Sequence, residues 1–395
     1  MARLDVRAMT LLSFAHVVDD YNQSFIPALL PFLIIQRHLT HETAAGLVFA
    51  QAISSSVVQP AIGVLADRRS MPWLIALGIF LAGCGVAAIG WLSPLWVLYL
   101  AALVSGIGVA AFHPEAARFA NYVAGDRKAS GMRWFTVGGN LGFAVGPTFA
   151  TAAVAAWGLR GTAAAFVPVT LVAVIVLFEL RRLRTFVPTQ AKRRAAEGVD
   201  NWPAFGKLSA FVIIRSMTYL GLVSFIPLYV VEELRVRPAV GDAALTAFLF
   251  AGVVGTIAGG PLADRFGRKP ILLWSTGATT VVAFALIALT HGGGLAAAIP
   301  LLILLGLVLY ASQAPMVVLG QEYLPTRMGL ASGVTLGLAV SLGGMFTPVL
   351  GWIADAHGIT ASIVTLAVLA ALSLVIGFTL PSERRRRPAL GEAVA

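Results

Sequence analysis

Charged residues are scarce in this sequence. Asp, Glu, Lys and Arg make up 12% of its 395 residues, whereas a soluble domain typically carries about 25%. Apolar residues make up 58%, and the mean hydropathy is +0.86. Apolar stretches of about 18 residues or more, the length that spans a bilayer, recur from end to end. The composition therefore excludes a water-soluble globule and predicts an all-α integral membrane protein.

Cysteine and the common catalytic motifs are also missing. The single cysteine, Cys84, has no possible partner, which excludes disulfide frameworks and cysteine-based metal sites. The six histidines form no HExxH pair, and the chain contains neither a Walker-type phosphate loop nor a G-x-S-x-G elbow. We therefore expect no enzyme, no cofactor and no metal. Because the N-terminal segment lacks a cleavage site, we interpret it as a retained first helix.

Apolar runs separated by Gly, Pro and charged residues predict twelve membrane-spanning helices. The first six are expected near 9–36, 44–66, 72–91, 95–121, 129–156 and 160–182, and the second six near 207–232, 242–263, 270–290, 296–322, 328–354 and 358–380. This pattern predicts an N-terminal six-helix bundle, a cytoplasmic linker, and a C-terminal six-helix bundle with a short basic tail, at 1–182, 183–206 and 207–395.

Basic residues are concentrated on one side of the predicted helices. Of the 28 Lys and Arg residues, 23 fall in the termini, the linker and the loops on the same side, and four fall in the opposite loops. The positive-inside rule then makes both termini cytoplasmic, and we expect a multi-pass protein of the cell (inner) membrane. The net charge of +10 is thus mainly a topology signal, and we expect contact with lipid but not with nucleic acid.

Two sequence patterns recur across the linker. Ser-Phe-Ile-Pro at 24–27 reappears at 224–227, and GVLADRRSMP at 63–72 has its counterpart in GGPLADRFGRKP at 259–270. The two patterns recur at nearly the same separation along the sequence. This indicates two pseudo-symmetric bundles related by an axis along the membrane normal, an arrangement used by secondary transporters. We expect a monomer.

The loop after the eighth predicted span carries the first family resemblance. GPLADRFGRK at 260–269 resembles the loop motif of the major facilitator superfamily, while the copy at 63–70 lacks the second glycine. The resemblance implies that these loops govern conformational change, because their basic residues clamp acids of a neighbouring helix, with Glu322 as the partner in the second half. The residues expected to act in this way are Asp67, Arg68, Asp264, Arg265 and Arg268.

The fifth predicted span carries a second resemblance. GGNLGFAVGP at 138–147, which ends in Gly146 and Pro147, is similar to the motif of drug/proton antiporters in this superfamily. Helix packing alone would also explain small residues and a proline there. The resemblance favours export of a solute over import.

A sharper resemblance is to the fosmidomycin-resistance subfamily. It rests on HVVDD at 16–20, QPAIGVLADRRSMPW at 59–73 and FHPEAAR at 112–118. The arginine that many antiporters carry early in the fourth span is absent, because 98–111 contains no charge. If protons are coupled to transport, other groups must carry them.

Ionisable residues within the predicted spans are the candidates for this role, since they usually face a cavity or pathway. His16 and Asp20 are four residues apart and share one helix face, whereas Asp19 points about 100° away. We interpret His16 and Asp20 as a proton-carrying pair, with Asp19 as an alternative acid and a structural polar contact as the alternative role.

Arg215 is the only basic residue inside the second half's predicted helices, since Lys207 lies at the very first position of its span. We predict that its planar guanidinium pairs with Asp20 or with an anionic substrate, with Tyr219 on the same face. The alternative is that Arg215 reaches the cytoplasmic surface.

In the fourth span, Glu115 and Arg118 are spaced for an internal ion pair along the helix. The resemblance instead favours a part in coupling or gating, with His113 and Glu115 as candidates for proton coupling and Arg118 for gating. Gln51, Asn140 and Gln313 have the spacing of a hydrated cavity, although hydrogen bonds between helices explain them as well.

Together these patterns predict proton-coupled export of a small polar or anionic drug-like compound by alternating access. The alternative is symport uptake of a small organic metabolite, and sodium coupling stays open.

Overall fold

The computed structural model describes residues 4–68, 70–125, 128–186, 199–327, 330–331, 334–335 and 339–381, and this part of the chain is helical without strands. We number its α-helices in chain order: α1 Val6–Arg37, α2 His41–Arg68, α3 Trp73–Ile89, α4 Leu95–Val123, α5 Lys128–Trp157, α6 Phe166–Arg184, α7 Trp202–Glu233, α8 Pro238–Phe266, α9 Arg268–Ala311, α10 Gln313–Tyr323, α11 Ala339–Gly344, α12 Thr347–His357 and α13 Ile359–Phe378.

Local sequence explains several helix ends. The Asp5 side chain accepts a hydrogen bond from the Ala8 amide at the start of α1, and Asn201 caps α7 in the same way. Between α8 and α9, Gly267 has φ +96° and ψ 151°. Only glycine adopts that backbone conformation without strain, which explains the second glycine of the loop motif.

Seven segments are long and apolar enough to cross a membrane: Leu95–Val123, Gly131–Arg184, Trp202–Glu233, Pro238–Phe266, Arg268–Thr290, Gly292–Tyr323 and Ile359–Phe378. Twelve separate spans are therefore not confirmed within the described residues. Helices α1 and α2 form where predicted, but their many polar residues lower their hydropathy, and α3 has only 17 residues.

Three predicted boundaries differ from the observed ones. Spans predicted at 129–156 and 160–182 are joined by a 3-10 helix at Gly158–Ala165. The ninth and tenth predicted spans run together in α9, where only Gly294 departs from helical backbone angles. The span predicted at 328–354 lies partly outside the described residues, which show α11 and α12 within it.

The helices pack mainly within their own half of the sequence. In the first half α1 packs against α5, and α4 packs against α2 and α3; in the second half α8 packs against α9, and α13 against α7 and α9. The halves meet where α1 packs on α7, α2 on α11 and α12, and α5 on α8.

The two ends of the molecule differ in charge. At the basic end, Arg182 pairs with Asp5 at 2.7 Å, and Lys269 donates to the Phe378 carbonyl at 3.2 Å. At the opposite end, called the far end, His41 lies between Glu232 and Asp355.

Several contacts between the two halves lie at the far end or near the middle of the helices. Thr148 and Thr246 lie 2.9 Å apart through their hydroxyl oxygens, and the Thr347 hydroxyl donates to the Ala45 carbonyl at 3.2 Å. These residues fix α5 and α2 of the first half against α8 and α12 of the second.

Candidate functional site

The glycines of α5 place that helix directly on α1. A Cβ atom at Gly142 would lie 3.0 Å from the Tyr21 amide, and one at Gly146 would lie 2.7 Å from the Tyr21 carbonyl. Pro147 follows within the same helix. The motif at 138–147 therefore serves helix packing at this contact, and its consequence is to bring Gly139 against the polar residues of α1.

Four ionisable residues of α1 and α4 meet there, and we call His16, Asp19, Asp20 and His113 the histidine–aspartate cluster. Asp20 is its centre, since one carboxylate oxygen lies 3.2 Å from Nε2 of His16 and the other lies 3.2 Å from Nε2 of His113. Asp20 is 6% exposed and His16 is 8% exposed. The predicted His16–Asp20 pair is thus extended by a histidine from another helix.

Backbone carbonyls orient both rings of the cluster. Nδ1 of His16 lies 2.8 Å from the Phe135 carbonyl oxygen, and Nδ1 of His113 lies 3.0 Å from that of Val109. An N–H at each Nδ1 satisfies these carbonyls, which leaves each Nε2 directed at Asp20. Either a proton on Nε2 or one on the carboxyl group completes the contact.

Asp19 and Asp20, which the sequence could not separate, have different surroundings. Asp20 also accepts a hydrogen bond from Gln23 at 2.6 Å. Asp19 is fully buried, its nearest ionisable contact is Nδ1 of His113 at 3.4 Å, and neither of its carboxylate oxygens has a hydrogen-bond donor among the described residues. Asp20 is therefore the acid best connected to both histidines.

The same cluster includes the described residues best placed to hold a metal ion. Ligand atoms of His16, Asp20 and His113 lie within 4.8 Å of one another. The sequence predicted no metal, because none of these residues forms a short ligand-pair motif.

Arg215 is buried in the second half. It makes no ion pair with Asp20 among the described contacts, although such a pair was one of its two predicted roles. Its Nη2 donates to the Leu309 carbonyl at 2.6 Å, its Nε to the Ser312 hydroxyl at 3.0 Å and its Nη1 to Gln313 at 3.2 Å. At 5% exposure it does not reach the surface either. These neutral acceptors orient the guanidinium and leave its positive charge without a carboxylate among the described ion pairs.

Aromatic rings lie between the two polar regions. Tyr219 and Tyr310 meet edge to face with ring centroids 5.3 Å apart, and Phe143 of α5 lies 6.5 Å from Tyr219. Tyr219 is thus on the boundary between the halves, near Arg215 on one side and α5 on the other.

Two of the softer polar candidates differ in their contacts. Gln51 is 6% exposed and donates to the Ser105 hydroxyl at 2.9 Å and the Asn22 carbonyl at 3.3 Å, so it joins α1, α2 and α4 rather than facing a cavity. Asn140 is half-buried, and its amide nitrogen has no acceptor among the described residues.

Glu115 lies outside the histidine–aspartate cluster. It is fully buried, pairs with Arg118 at 2.6 Å and accepts a hydrogen bond from the Met71 amide in the loop after α2. The internal ion pair expected from the sequence is present, and Glu115 ties the first copy of the loop motif to α4.

The second copy of the loop motif also contacts an acid of a neighbouring helix, but through an arginine side chain instead of a backbone amide. Arg268 pairs with Glu322, the partner expected from the sequence. Asp264 and Arg265 are exposed, and the Arg265 guanidinium lies 5.1 Å from the Phe266 ring. The side chains of the first-copy residues Asp67 and Arg68 lie outside the described part of the chain.

Sequence reasoning missed two polar sites between the halves. Asp242 of α8 is fully buried and accepts a hydrogen bond from Thr151 of α5, although it lies at the start of a predicted span, where an acid is expected to be solvated. The contact of His41 with Glu232 and Asp355 joins residues far apart in sequence, which no local motif indicates.

Comparisons with known proteins agree with the fold. The family model described as Major Facilitator Superfamily matches residues 12–348. The chain is 30% identical to the fosmidomycin resistance protein of Escherichia coli (strain K12), covering 98% of this chain and 95% of that one. It is 29% identical to the uncharacterized MFS-type transporter YfnC of Bacillus subtilis (strain 168), covering 96% and 94%.

Solved structures agree as well. The crystal structure of a bacterial homolog to the human lysosomal transporter Spinster, in an inward-facing and occupied conformation, superposes with a TM-score of 0.81 at 16% identity, covering 95% of this chain and 96% of that one. A nucleoside transporter, NupG, superposes with a TM-score of 0.73 at 14% identity, covering 94% and 98%. At 16% and 14% identity, these superpositions show that the fold is shared and nothing more.

Proposed function

The chain belongs to the major facilitator superfamily of membrane transporters, and we propose that it exports a small polar or anionic drug-like compound in exchange for protons. Membership makes it a transporter of small molecules and not an enzyme. The finer assignment rests on the arrangement of its buried charges.

One observation carries the proposal: the histidine–aspartate cluster of the first half and Arg215 of the second half are buried groups of opposite kind. The first half places His16, His113 and Asp20 in mutual contact, whereas the second half presents Arg215, which is hydrogen-bonded only to neutral acceptors in the described residues. A carboxylate between two imidazoles can take up and release protons, and an oriented guanidinium binds anions.

We assign the proton-coupling role to Asp20, His16 and His113, with Asp19 and Glu115 in support. Substrate binding is assigned to Arg215 and Tyr219, with Gln313 orienting the guanidinium and Asn140 contributed by the other half. Protonation of the cluster removes a buried negative charge on one side of the substrate, which changes the relative stability of the inward-open and outward-open states.

The gating role is assigned to the loop motifs and their partners. In this scheme the chain forms two six-helix bundles joined by the linker, with twelve helices, both termini cytoplasmic, and a monomer as the working unit. The ion pair of Arg268 with Glu322 and the hydrogen bond that Glu115 accepts from the Met71 amide hold the two loops at the basic end. The contacts of α2 with α12 join the two halves at the far end, which in this scheme is the end that closes in the inward-facing state.

Fosmidomycin is the first compound to test, because the E. coli relative is named for resistance to it. Inside-out membrane vesicles containing the chain, with an acidic interior, are expected to accumulate the compound, and a protonophore is expected to abolish the accumulation. Vesicles without the chain are the control. Accumulation that needs a sodium gradient instead, or none under any gradient, would contradict proton-coupled export of this compound.

Symport uptake is the second candidate, since the same buried charges would serve it. It predicts accumulation in intact cells with an acidic medium, and increased rather than decreased sensitivity to the compound. A susceptibility and uptake panel in cells with and without the chain separates the two directions.

A further inference from the structure

His41, the first residue of α2, joins three helices at the far end. Its Nδ1 lies 2.6 Å from a carboxylate oxygen of Asp355 on α12, and its Nε2 lies 2.7 Å from a carboxylate oxygen of Glu232 on α7. Both acids belong to the second half of the sequence, whereas His41 belongs to the first. A single side chain therefore connects the two halves at the far end.

The backbone of α2 takes part in the same contact. The amides of His41 and Glu42 donate to the two carboxylate oxygens of Asp355, each at 2.9 Å. The first amides of a helix have no partner within the helix and favour an anion. Asp355 thus caps a helix of the other half, and Gly351 packs so closely that a Cβ there would lie 2.6 Å from the Glu42 Cα.

The ring geometry determines the protonation state of this contact. An ionised carboxylate only accepts hydrogen bonds, so both nitrogens of His41 must carry hydrogen for both contacts to form. The hydrogen bond with Glu232 is the main cause that raises the pKa of His41 to about 8; burial opposes it, and Asp355 adds to it. Besides these two acids, Glu42 is the charged group adjacent on α2.

We propose that protonated His41 is a latch that holds the far end of the transporter closed by joining α2 to α7 and α12. The latch rests on the proposed alternating-access function, because closing and opening of the far end is the event that it controls. Loss of the proton leaves one ring nitrogen with a lone pair against a carboxylate, which favours separation of the halves. The external solution thereby influences the conformational equilibrium through its pH.

The direction of the effect follows from the raised pKa. With the far end open, His41 has an ordinary pKa of about 6.5, so the stabilisation of the closed form is complete below that pH. It is lost as the pH rises through about 8. The difference corresponds to a change of about 30-fold in the closing equilibrium.

The test measures distance and needs neither substrate nor a proton gradient. Exposed Gln36 and Arg237 at the far end are replaced by cysteine in a Cys84→Ser background, and the spin-labelled protein is examined by pulsed electron paramagnetic resonance from pH 6 to 9. We expect the short-distance population to fall as the pH rises, and His41→Gln to give a small population at every pH.

His357→Gln is the matched control, since His357 ends α12 at the same end but lies outside the latch; it should keep the wild-type pH profile. A wild-type distance distribution that is unchanged over this pH range, or identical in His41→Gln, would overturn the proposal. Because the experiment measures a distance and not transport, a failure of proton-driven export would not contradict the His41 latch. A failure of the latch would likewise not contradict proton-driven export.

Discussion

Nε2 of His16 lies 3.2 Å from a carboxylate oxygen of Asp20, one turn further along α1. The pair is enclosed by neighbouring helices: Phe135 of α5 stacks on the His16 ring with centroids 4.1 Å apart, and His113 of α4 approaches the other oxygen of Asp20. A polar pair on one helix is therefore positioned by two others. Its protonation and the packing of those helices are physically linked.

Gly139→Ala tests how closely that packing supports the cluster. The added Cβ would lie 2.5 Å from Oδ2 of Asp20 and 2.6 Å from Nε2 of His16, so α5 or the cluster must shift. We expect a loss of stability of about 1–3 kcal/mol, as for overpacked sites, together with loss of proton-driven transport. Thermal unfolding in detergent and vesicle transport measure the two effects.

Gly206→Ala is the control for that substitution, because a Cβ at Gly206 meets nothing within 4 Å. It should unfold at or above the wild-type temperature, as alanine favours helix over glycine. If Gly139→Ala transports and unfolds as this control does, the close packing assigned to Gly139 is wrong.

The two loop-motif contacts should differ in energy although they occupy corresponding positions. The Glu115 side chain is fully buried, whereas that of Glu322 is 43% exposed. Glu115→Ala removes a fully buried carboxylate that contacts Arg118 and the Met71 amide, and should destabilise the protein by about 3 kcal/mol or more. Glu322→Ala should cost less than about 1 kcal/mol, because solvent screens its pair.

Equilibrium unfolding of both variants under one set of conditions checks the comparison. Similar destabilisation by the two substitutions would mean that burial does not distinguish the contacts. A slower transport rate in Glu322→Ala with nearly unchanged stability is the result expected if the Arg268 pair acts in gating.

Arg215→Lys tests the proposed anion site. Lysine keeps the charge but cannot reproduce the fork that contacts Leu309, Ser312 and Gln313 through three nitrogens. We expect at least a tenfold weaker equilibrium binding of an anionic substrate, and a further loss in Arg215→Ala. Lys207→Ala, which removes an exposed cation at the start of α7, should bind as wild type.

If an anionic substrate binds Arg215→Ala as tightly as it binds the wild type, Arg215 is not part of the substrate site. Binding of a neutral analogue serves as a check on folding, because it should be weakened much less than binding of the anion.

Much of the fold could be predicted from the sequence, because hydropathy and helix breakers act locally. The fourth predicted span, at 95–121, is observed as α4 at Leu95–Val123. The twelfth predicted span, at 358–380, is observed as α13 at Ile359–Phe378. The resemblance to the major facilitator superfamily is confirmed. The Arg268–Glu322 contact was also expected, since the motif indicates an acid on a nearby helix.

Contacts between distant helices could not be predicted in the same way. Helical spacing indicated that His16 and Asp20 share a face, but the arrival of His113 depends on how α4 crosses α1. Buried Asp242 and its Thr151 partner depend on how α8 lies against α5. Gln51 had the spacing of a cavity residue, yet the packing of α4 places Ser105 within its reach.

Proton-driven transport by Asp20→Asn in liposomes tests the central claim most directly. Asparagine keeps the shape of the side chain and removes the group that binds and releases the proton at the centre of the cluster. With purified protein and an imposed pH gradient, the account predicts that proton-driven accumulation of the substrate is lost while exchange of labelled for unlabelled substrate continues. Proton-driven accumulation at the wild-type rate in Asp20→Asn would contradict it.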